Sequence, residues 1–275
     1  MSDSAELETQ LTPSARPRRR SVSLLSLRDD TQAAFKEAGI RTLDQLVAMS
    51  PDELRRFKGI KTTAEALHAH ARAYLNDAPV WFNSLPHPCR CEGFFFDIET
   101  DPQTGFVWSI GWNDGGDHTS IAIVAPYSPY GRLALSANTD VFLLPDAESV
   151  WEAFAQGVAE SDAPVYHWTG YDSGVMHKSA PDLVTAALEN RLYDLHRTFN
   201  QCVRFPVRGS SLKTLGVYLG YSWSVYDAWD AAWRDYQVWL MDGDNENLAR
   251  ACAYQRDDVV ALALVWKWLN DNLES

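Results

Sequence analysis

The segment FFFDIET, residues 94–100, combines an apolar start with two carboxylates, and few folds accommodate that combination. Three consecutive phenylalanines are typical of a strand that is buried in a sheet. Side chains alternate between the two faces of a strand, so Asp97 and Glu99 point the same way. Two carboxylates side by side at the end of a buried strand repel each other, and a divalent cation between them offsets that cost. A ligand set made only of oxygens favours Mg²⁺ or Mn²⁺. The alternative interpretation of Asp97 and Glu99 is a pair of exposed turn carboxylates that bind no metal.

The sequence around this segment predicts a mixed sheet flanked by helices. WSIGW, SIAIVA and VFLLP have the pattern of further strands, a helix follows over AESVWEAFAQGVAE, and APVYHW is a fifth strand. From about residue 181 the chain is predicted to be mostly helical, and it ends in a long amphipathic helix over roughly 244–271. This order of elements predicts an α/β domain over residues 93–275.

The residues before this domain have a different pattern. Residues 22–77 predict a small all-α domain in which Thr42 and Ser50 are helix caps. Residues 78–92 contain three prolines and predict a linker. Residues 1–21, which include the basic run RPRRR, predict a disordered basic tail.

Composition excludes several classes of protein. The chain has 275 residues, of which 46% are hydrophobic, so it can bury a sizeable core. It has no apolar run of the roughly 20 residues that a membrane helix needs and no pattern of a secretory signal, so we expect a cytoplasmic protein without a membrane partner. The net charge is −13, and 26 of the 37 acidic residues lie in residues 89–275. That acidity argues against a generic polyanion binder and is compatible with bound divalent cations.

Two later segments supply further candidate carboxylates. HWTGYD, residues 167–172, follows the apolar run APVY and places Asp172 where a strand opens into a loop. In the segment YQRDD, Tyr254 and Asp258 are four residues apart and share one face of the predicted terminal helix. Asp194, at the start of DLHRTF, is a second-rank candidate whose alternative role is a helix cap.

The ordered set of D-x-E, a later aspartate and Y-x-x-x-D resembles the DEDD exonucleases of the ribonuclease H-like superfamily, in the subgroup that contains tyrosine. The second motif of that superfamily is often Asn-x-x-x-Phe-Asp, whereas here His167 takes the place of the asparagine. A closer resemblance covers most of residues 94–270, including SLKTLG and YQRDD, and is to the predicted RecB-associated nucleases of the YprB type. Where that family has a glutamate in its second motif, this chain has Asp172.

The resemblance implies a metal-dependent nuclease that hydrolyses phosphodiester bonds, with 3′→5′ exonuclease activity on single-stranded ends of DNA or RNA. Two ions of Mg²⁺ or Mn²⁺ would be held by Asp97, Glu99, Asp172 and Asp258. Tyr254 would orient the attacking water by a hydrogen bond. Two alternatives stay open: an endonuclease with the same site, and a module that binds nucleic acid without cutting it.

Candidate contacts to nucleic acid lie near the second motif and in the segment SSLK. His167 and Trp168 would line a substrate groove, with Trp168 stacking on a base. The alternative for Trp168 is a place in the hydrophobic core. Lys213 would approach a phosphate, and an exposed helix lysine is the alternative.

The helices of residues 22–77 resemble helix-hairpin-helix modules, in which a Gly-apolar-Gly turn presents backbone N–H groups to a phosphate. Here the turn reads Gly59-Ile60-Lys61, so the second glycine is missing. We define the basic hairpin as Arg55, Arg56, Lys58, Gly59 and Lys61. Its side chains would bind the nucleic-acid backbone without reading sequence, and contact with a protein is the alternative.

Overall fold

The computed structural model describes residues 20–60, 63–159, 161–225 and 229–273. Most of the predicted tail, residues 1–19, and Lys61 of the basic hairpin lie outside the described residues. Among the helices within these ranges, none has both the length and the apolar character needed to cross a membrane.

The N-terminal part is helical, as predicted. Its elements are a 3₁₀ turn (Val22–Leu25), α1 (Asp29–Glu37), α2 (Leu43–Val47), α3 (Pro51–Leu54) and α4 (Ala64–Asn76), followed by the short strand β1 (Val80–Trp81). Both predicted caps are confirmed, because the hydroxyls of Thr42 and Ser50 accept hydrogen bonds from the N–H groups of Gln45 and Glu53, each at 3.3 Å. In both cases the side chain three residues on reaches back to the cap, which completes a capping box.

A seven-stranded mixed sheet forms the centre of the C-terminal part and confirms the predicted α/β fold. Its strands are β2 (Phe94–Thr100), β3 (Val107–Asn113), β4 (Thr119–Val124), β5 (Gly131–Ser136), β6 (Thr139–Leu144), β7 (Val165–His167) and β8 (Leu192–Asp194). Their order across the sheet is β5-β6-β4-β3-β2-β7-β8. Strand β2 is central, antiparallel to β3 and parallel to β7.

Helices cover both faces of the sheet. They are α5 (Ala147–Gly157), α6 (Gly170–Ser179), α7 (Asp182–Leu188), α8 (Leu195–Cys202), α9 (Leu212–Tyr218), α10 (Trp229–Asp242) and α11 (Asn245–Asp271), with the two-residue strand β9 (Val203–Arg204) after α8. The Phe96 ring packs on Phe154 of α5, with centroids 4.9 Å apart. Phe95 points to the other face and joins the cluster that contains Val259 and Leu262 of α11. Because faces alternate along a strand, Asp97 and Glu99 share the α11 face with Phe95.

The chain after residue 181 is mostly helical, as predicted, and it also contains two short strands. Strand β8 pairs in parallel with β7, and β9 pairs antiparallel with β1. Strand β5, at the edge of the sheet, was also absent from the predicted strands. These segments have two to six residues, so their hydrophobic pattern is too short to separate a strand from other structure, and only the pairing partner defines them.

Residues 78–92, predicted as a linker, contain β1 and a 3₁₀ turn at His87–Arg90. Leu85 and Cys89 in this segment are each only 2% exposed and belong to the same core cluster as Phe95. The N-terminal helices also contact the C-terminal part directly, since His70 of α4 donates from Nε2 to the Val207 carbonyl at 3.0 Å. The segment therefore joins the two parts through buried contacts.

Candidate active site

Strand β2 positions the first two carboxylates beneath α11. Asp97 lies opposite Gly111 of β3 in the antiparallel register. A Cβ atom at Gly111 would lie 2.9 Å from Cγ of Gln255, a distance that real Cβ atoms do not show. The glycine therefore lets α11 lie close to the sheet above Asp97.

Hydrogen bonds hold α11 close to the sheet above Asp97. The Gln255 side chain donates from Nε2 to the main-chain carbonyl of Asp97 at 3.0 Å. The Ser109 hydroxyl of β3 donates to the carboxamide oxygen of the same glutamine. Gln255 is fully buried, so both contacts form in a low-dielectric setting where hydrogen bonds are strong. They fix the helix turn that carries Tyr254 and Asp258.

Three carboxylates meet between β2 and α11. One oxygen each from Asp97, Glu99 and Asp258 lies within 4.8 Å of the other two. We call these three residues the carboxylate centre. Each remains partly open to a cleft of about 480 Å³ that Tyr254 and Tyr171 also line. The D-x-E pair and the Y-x-x-x-D helix thus converge, although Asp97 and Asp258 are 161 residues apart in the chain.

Burial and mutual repulsion raise the pKa of all three carboxylates. For Asp97 the largest cause is burial, followed by the negative charges of Asp258 and Glu99, and its pKa lies well above the ordinary value. The pKa of Glu99 is also raised well above its ordinary value, by burial first and then by Asp258. Burial raises the pKa of Asp258 to about 6. The centre is therefore costly to ionise without a compensating positive charge.

Asp172 lies beside the carboxylate centre and outside the group of three. It sits in the first turn of α6, is 5% exposed, and its charge raises the pKa of both Asp97 and Glu99. Burial raises its own pKa to about 7. His167, the last residue of β7, donates from Nδ1 to the Thr169 carbonyl at 2.6 Å and so fixes the turn that leads into α6.

His167 is 2% exposed, and burial lowers the pKa of its imidazole, so it is neutral near pH 7. Its Nδ1 atom lies 4.0 Å from the Asp172 carboxylate. The position of His167 fits a residue that orients the second motif better than one that lines a substrate groove.

Trp168 belongs to the hydrophobic core. It is 8% exposed and packs on Phe199 and His196, with ring centroids 6.2 and 5.1 Å away. Stacking on a base requires an open ring face. This position argues against the predicted base-stacking role and favours the alternative, a core tryptophan.

Asp194 acts as the cap of α8, since its carboxylate accepts a hydrogen bond from the Arg197 N–H at 2.7 Å. The same charge raises the pKa of Asp172, so Asp194 lies near the second motif. It is not one of the three carboxylates that converge. The alternative role given to it from the sequence, a helix cap, is confirmed.

Lys213 of α9 supplies positive charge next to the carboxylate centre. Its Nζ atom lies 4.7 Å from the centroid of the Tyr254 ring, a cation–π contact. Its charge opposes the rise in the pKa of Glu99 and of Asp258. The Tyr254 hydroxyl in turn hydrogen-bonds to Asp258. Lys213 therefore compensates part of the negative charge of the carboxylate centre.

Sequence reasoning missed Trp223, which orients Asp258. The indole N–H donates to Oδ1 of Asp258 at 2.7 Å. The loop that carries Trp223 is held by Asp257, whose carboxylate accepts from the Tyr221 hydroxyl at 3.1 Å and from the Ser224 N–H at 2.5 Å. Asp257 is 1% exposed and holds this loop, whereas the adjacent Asp258 belongs to the carboxylate centre.

The described residues of the basic hairpin do not form a comparable cluster of charges. Arg55 forms ion pairs with Asp52 and Glu65, so its charge is already compensated. Arg56 and Lys58 are exposed. Gly59 has φ of +85°, and a Cβ atom there would lie 2.8 Å from the Thr31 hydroxyl oxygen, so a glycine is required on two grounds.

The carboxylate centre fits a divalent cation. It offers oxygen donors only, which suits Mg²⁺ or Mn²⁺. Burial and neighbouring negative charges raise the pKa values of its members, and Lys213 opposes this rise at Glu99 and Asp258 without cancelling it. A cation would reverse that imbalance and hold the carboxylates in their ionised form.

Comparison with known families agrees with this geometry. A family model described as the RNase H superfamily matches residues 94–270, from the first residue of β2 almost to the end of α11. The matched range includes all three members of the carboxylate centre, together with Asp172 and Tyr254. Among curated proteins, none matches this chain.

Proposed function

The chain belongs to the RNase H superfamily, and on that basis we propose that it is a metal-dependent 3′→5′ exonuclease acting on single-stranded ends of nucleic acid. Members of this superfamily usually hydrolyse nucleic acids. The observation that carries the proposal is the convergence of Asp97, Glu99 and Asp258 within 4.8 Å at the centre of the sheet. The tyrosine beside them and the D-x-E pattern support the direction and the single-stranded preference, which follow from resemblance to the tyrosine-type DEDD exonucleases.

The proposed mechanism assigns a role to each side chain of the site. Asp97, Glu99 and Asp258 would hold two ions of Mg²⁺ or Mn²⁺, with Asp172 as the fourth carboxylate. When bound, such ions act as Lewis acids that stabilise charge on the phosphate and lower the pKa of water. Tyr254, anchored to Asp258, orients the attacking water by a hydrogen bond. Lys213 attracts the phosphate to be cleaved.

Local electrostatics support a metal-dependent reaction over one in which a carboxylate acts alone. The members of the carboxylate centre have raised pKa values and repel a polyanionic substrate as soon as they ionise. Divalent cations convert the same cluster into a site that attracts phosphate. We therefore expect a chelator to abolish hydrolysis.

The direct test uses 5′-labelled linear oligonucleotides and circular single strands, each as DNA and as RNA. Wild type is incubated with Mn²⁺ or with a chelator. The proposal predicts a Mn²⁺-dependent ladder of shortened linear products and intact circles. Cleavage of circles would replace the exonuclease by an endonuclease with the same centre. Tight binding of the strands without any hydrolysis would instead support a non-catalytic binding module.

A further inference from the structure

A second cleft, of about 530 Å³, lies between the β2–β3 turn and α6. Phe106 from the turn and Tyr171 from the helix line it, and Lys178 lies on the same helix. Gly105 and Tyr171 line both this cleft and the one that contains the carboxylate centre, so the two are contiguous. We call it the aromatic cleft. No sequence motif pointed to it.

The aromatic cleft exposes two rings beside the carboxylate centre. Phe106 is 42% exposed and Tyr171 is 55% exposed, although residues of this size are usually covered. Phenylalanine has no polar atom that would favour contact with water. A Cβ atom added at Gly105 or at Gly174 would meet no atom within 4 Å, so the wall near both positions is open. Exposed flat rings beside open backbone suit a flat ligand.

The turn that carries Phe106 and the side chain of Tyr171 are held in place before any ligand binds. Asp101 organises the turn, since its carboxylate accepts from the Gln103 N–H at 2.9 Å and from the Thr104 hydroxyl at 2.6 Å. The Asp101 N–H donates to the Phe106 carbonyl at 2.8 Å and closes the turn. The Tyr171 hydroxyl lies 2.6 Å from that of Thr100, the last residue of β2. Such preorganisation lowers the entropic cost of binding.

The aromatic cleft also carries a positive charge. The C-terminal part is acidic overall, and the carboxylate centre repels phosphate when no cation is bound. Lys178 adds an exposed positive charge at the aromatic cleft, on the side away from the carboxylates. A ligand with flat apolar faces joined by negative charges matches rings with a lysine alongside. Unpaired nucleotides have that chemistry, and stacking tolerates any base.

We propose that the aromatic cleft binds unpaired bases of a single nucleic-acid strand, which stack on Phe106 and Tyr171 while Lys178 contacts a backbone phosphate. This inference rests on the proposed function and specifies its substrate, since the strand would pass from the cleft to the carboxylate centre. A paired base has its faces covered by neighbours in the helix, so a duplex end must fray before it enters. Preference for single strands then has a physical origin in these two rings.

Binding is tested in the Asp97→Asn background with Mg²⁺, using a single strand with 2-aminopurine at successive positions near its end. Stacking quenches this fluorophore. We expect quenching at one or two positions, and Phe106→Ala should weaken affinity by about fivefold or more. Tyr127→Ala is the matched control, because Tyr127 is 85% exposed on a loop outside the cleft. Equal affinities for both variants would overturn the proposal.

Hydrolysis separates this inference from the proposed function. Wild type should show a KM at least about fivefold higher for a strand whose terminal nucleotides are abasic, with a small change in kcat. In Phe106→Ala and Tyr171→Ala the two strands should behave alike. Tyr171→Phe, which keeps the ring, should restore most of the KM lost in Tyr171→Ala. Phe106→Leu, which keeps apolar bulk, distinguishes lost stacking from local unfolding.

Two outcomes are decisive in different ways. If wild type cleaves normal and abasic strands with equal KM, the aromatic cleft does not hold bases, and the nuclease assignment stands. If wild type cleaves no strand at all, the proposed function fails, and the 2-aminopurine titration still decides whether the cleft binds bases.

Discussion

The carboxylate centre and the basic hairpin both contain several like charges, but among the described residues of the two regions these charges lie close together only in the carboxylate centre. In the centre, three like charges are brought within 4.8 Å at a cost in free energy that raises their pKa values. In the hairpin, Arg55 is neutralised by Asp52 and Glu65, and Arg56 and Lys58 are exposed to solvent. A fold that keeps repelling groups together needs a compensating ligand, whereas exposed basic side chains require none. The centre is therefore the stronger evidence for function.

Among the changes that test the difference between the carboxylate centre and the basic hairpin, the loss of a carboxylate should have the largest effect on activity. Asp97→Asn and Glu99→Gln should each lower kcat by at least about a thousandfold, or ~4 kcal/mol, because a metal ligand is lost with little change in shape. Single-turnover hydrolysis of a labelled strand under Mn²⁺ measures this. Asp117→Asn, an equivalent change at an exposed turn, is the control and should match wild type. Activity retained in Asp97→Asn would remove the centre from the mechanism.

The orientation of Asp258 should have a smaller effect. Trp223→Phe keeps the ring and deletes the N–H group that donates to this carboxylate at 2.7 Å. We expect kcat to fall about tenfold and the Mn²⁺ concentration for half-maximal rate to rise, because a hydrogen bond to a charged group is lost. Trp266→Phe is a matched control, since its N–H donates to the Cys89 carbonyl, away from the centre. Equal losses in both variants would indicate a general packing effect.

The stability of the metal-free protein, measured in chelator, should depend on pH because the partly buried carboxylates of the centre are costly to ionise. Folded-state pKa values above the ordinary ones mean that the folded protein holds these protons more tightly than the unfolded chain. Wild type should therefore lose stability as pH rises from about 4 through 6 to 7. Asp97→Asn should lose less, and at pH 7.5 its Tm should exceed that of wild type by about 2–4 °C. A lower Tm for the variant across this range would contradict the electrostatic interpretation.

The basic hairpin should give the smallest effect. Replacing Arg56 and Lys58 together by Ala should reduce the salt slope of single-strand binding by at most about 0.7 per charge, with kcat unchanged. Lys36 and Arg41, two exposed basic residues elsewhere in the N-terminal part, form the control pair. Identical slopes for both pairs would mean that the hairpin does not hold nucleic acid. A slope change much larger than this limit would reverse the ranking of the two regions.

The elements that the sequence predicts well depend on local patterns. The strand FFFDIET, the caps at Thr42 and Ser50 and the helix of YQRDD each follow from a few neighbouring residues. The strand and the helix each determine which of their side chains share a face. That these two faces meet was implied only by the resemblance of the ordered motifs to the DEDD exonucleases.

What sequence patterns could not supply depends on tertiary contacts. Trp223 reaches Asp258 from a loop 35 residues earlier in the chain, and no spacing rule links the two. Trp168 follows a predicted strand end, where either a substrate groove or the core is possible, and its packing in the structure places it in the core. Phe106 has the pattern of an ordinary strand start after a turn, and only its exposure beside Tyr171 makes it distinctive.

The measurement that tests the central claim most directly is a calorimetric titration of Mn²⁺ into wild type and Asp97→Asn at pH 7.5, without nucleic acid. Wild type should bind Mn²⁺ with release of protons, because the raised pKa values leave protons to be displaced. The variant should lose most of that binding and most of the proton release, while Asp117→Asn retains both. Equal binding isotherms for wild type and Asp97→Asn would show that the carboxylate centre is not the metal site.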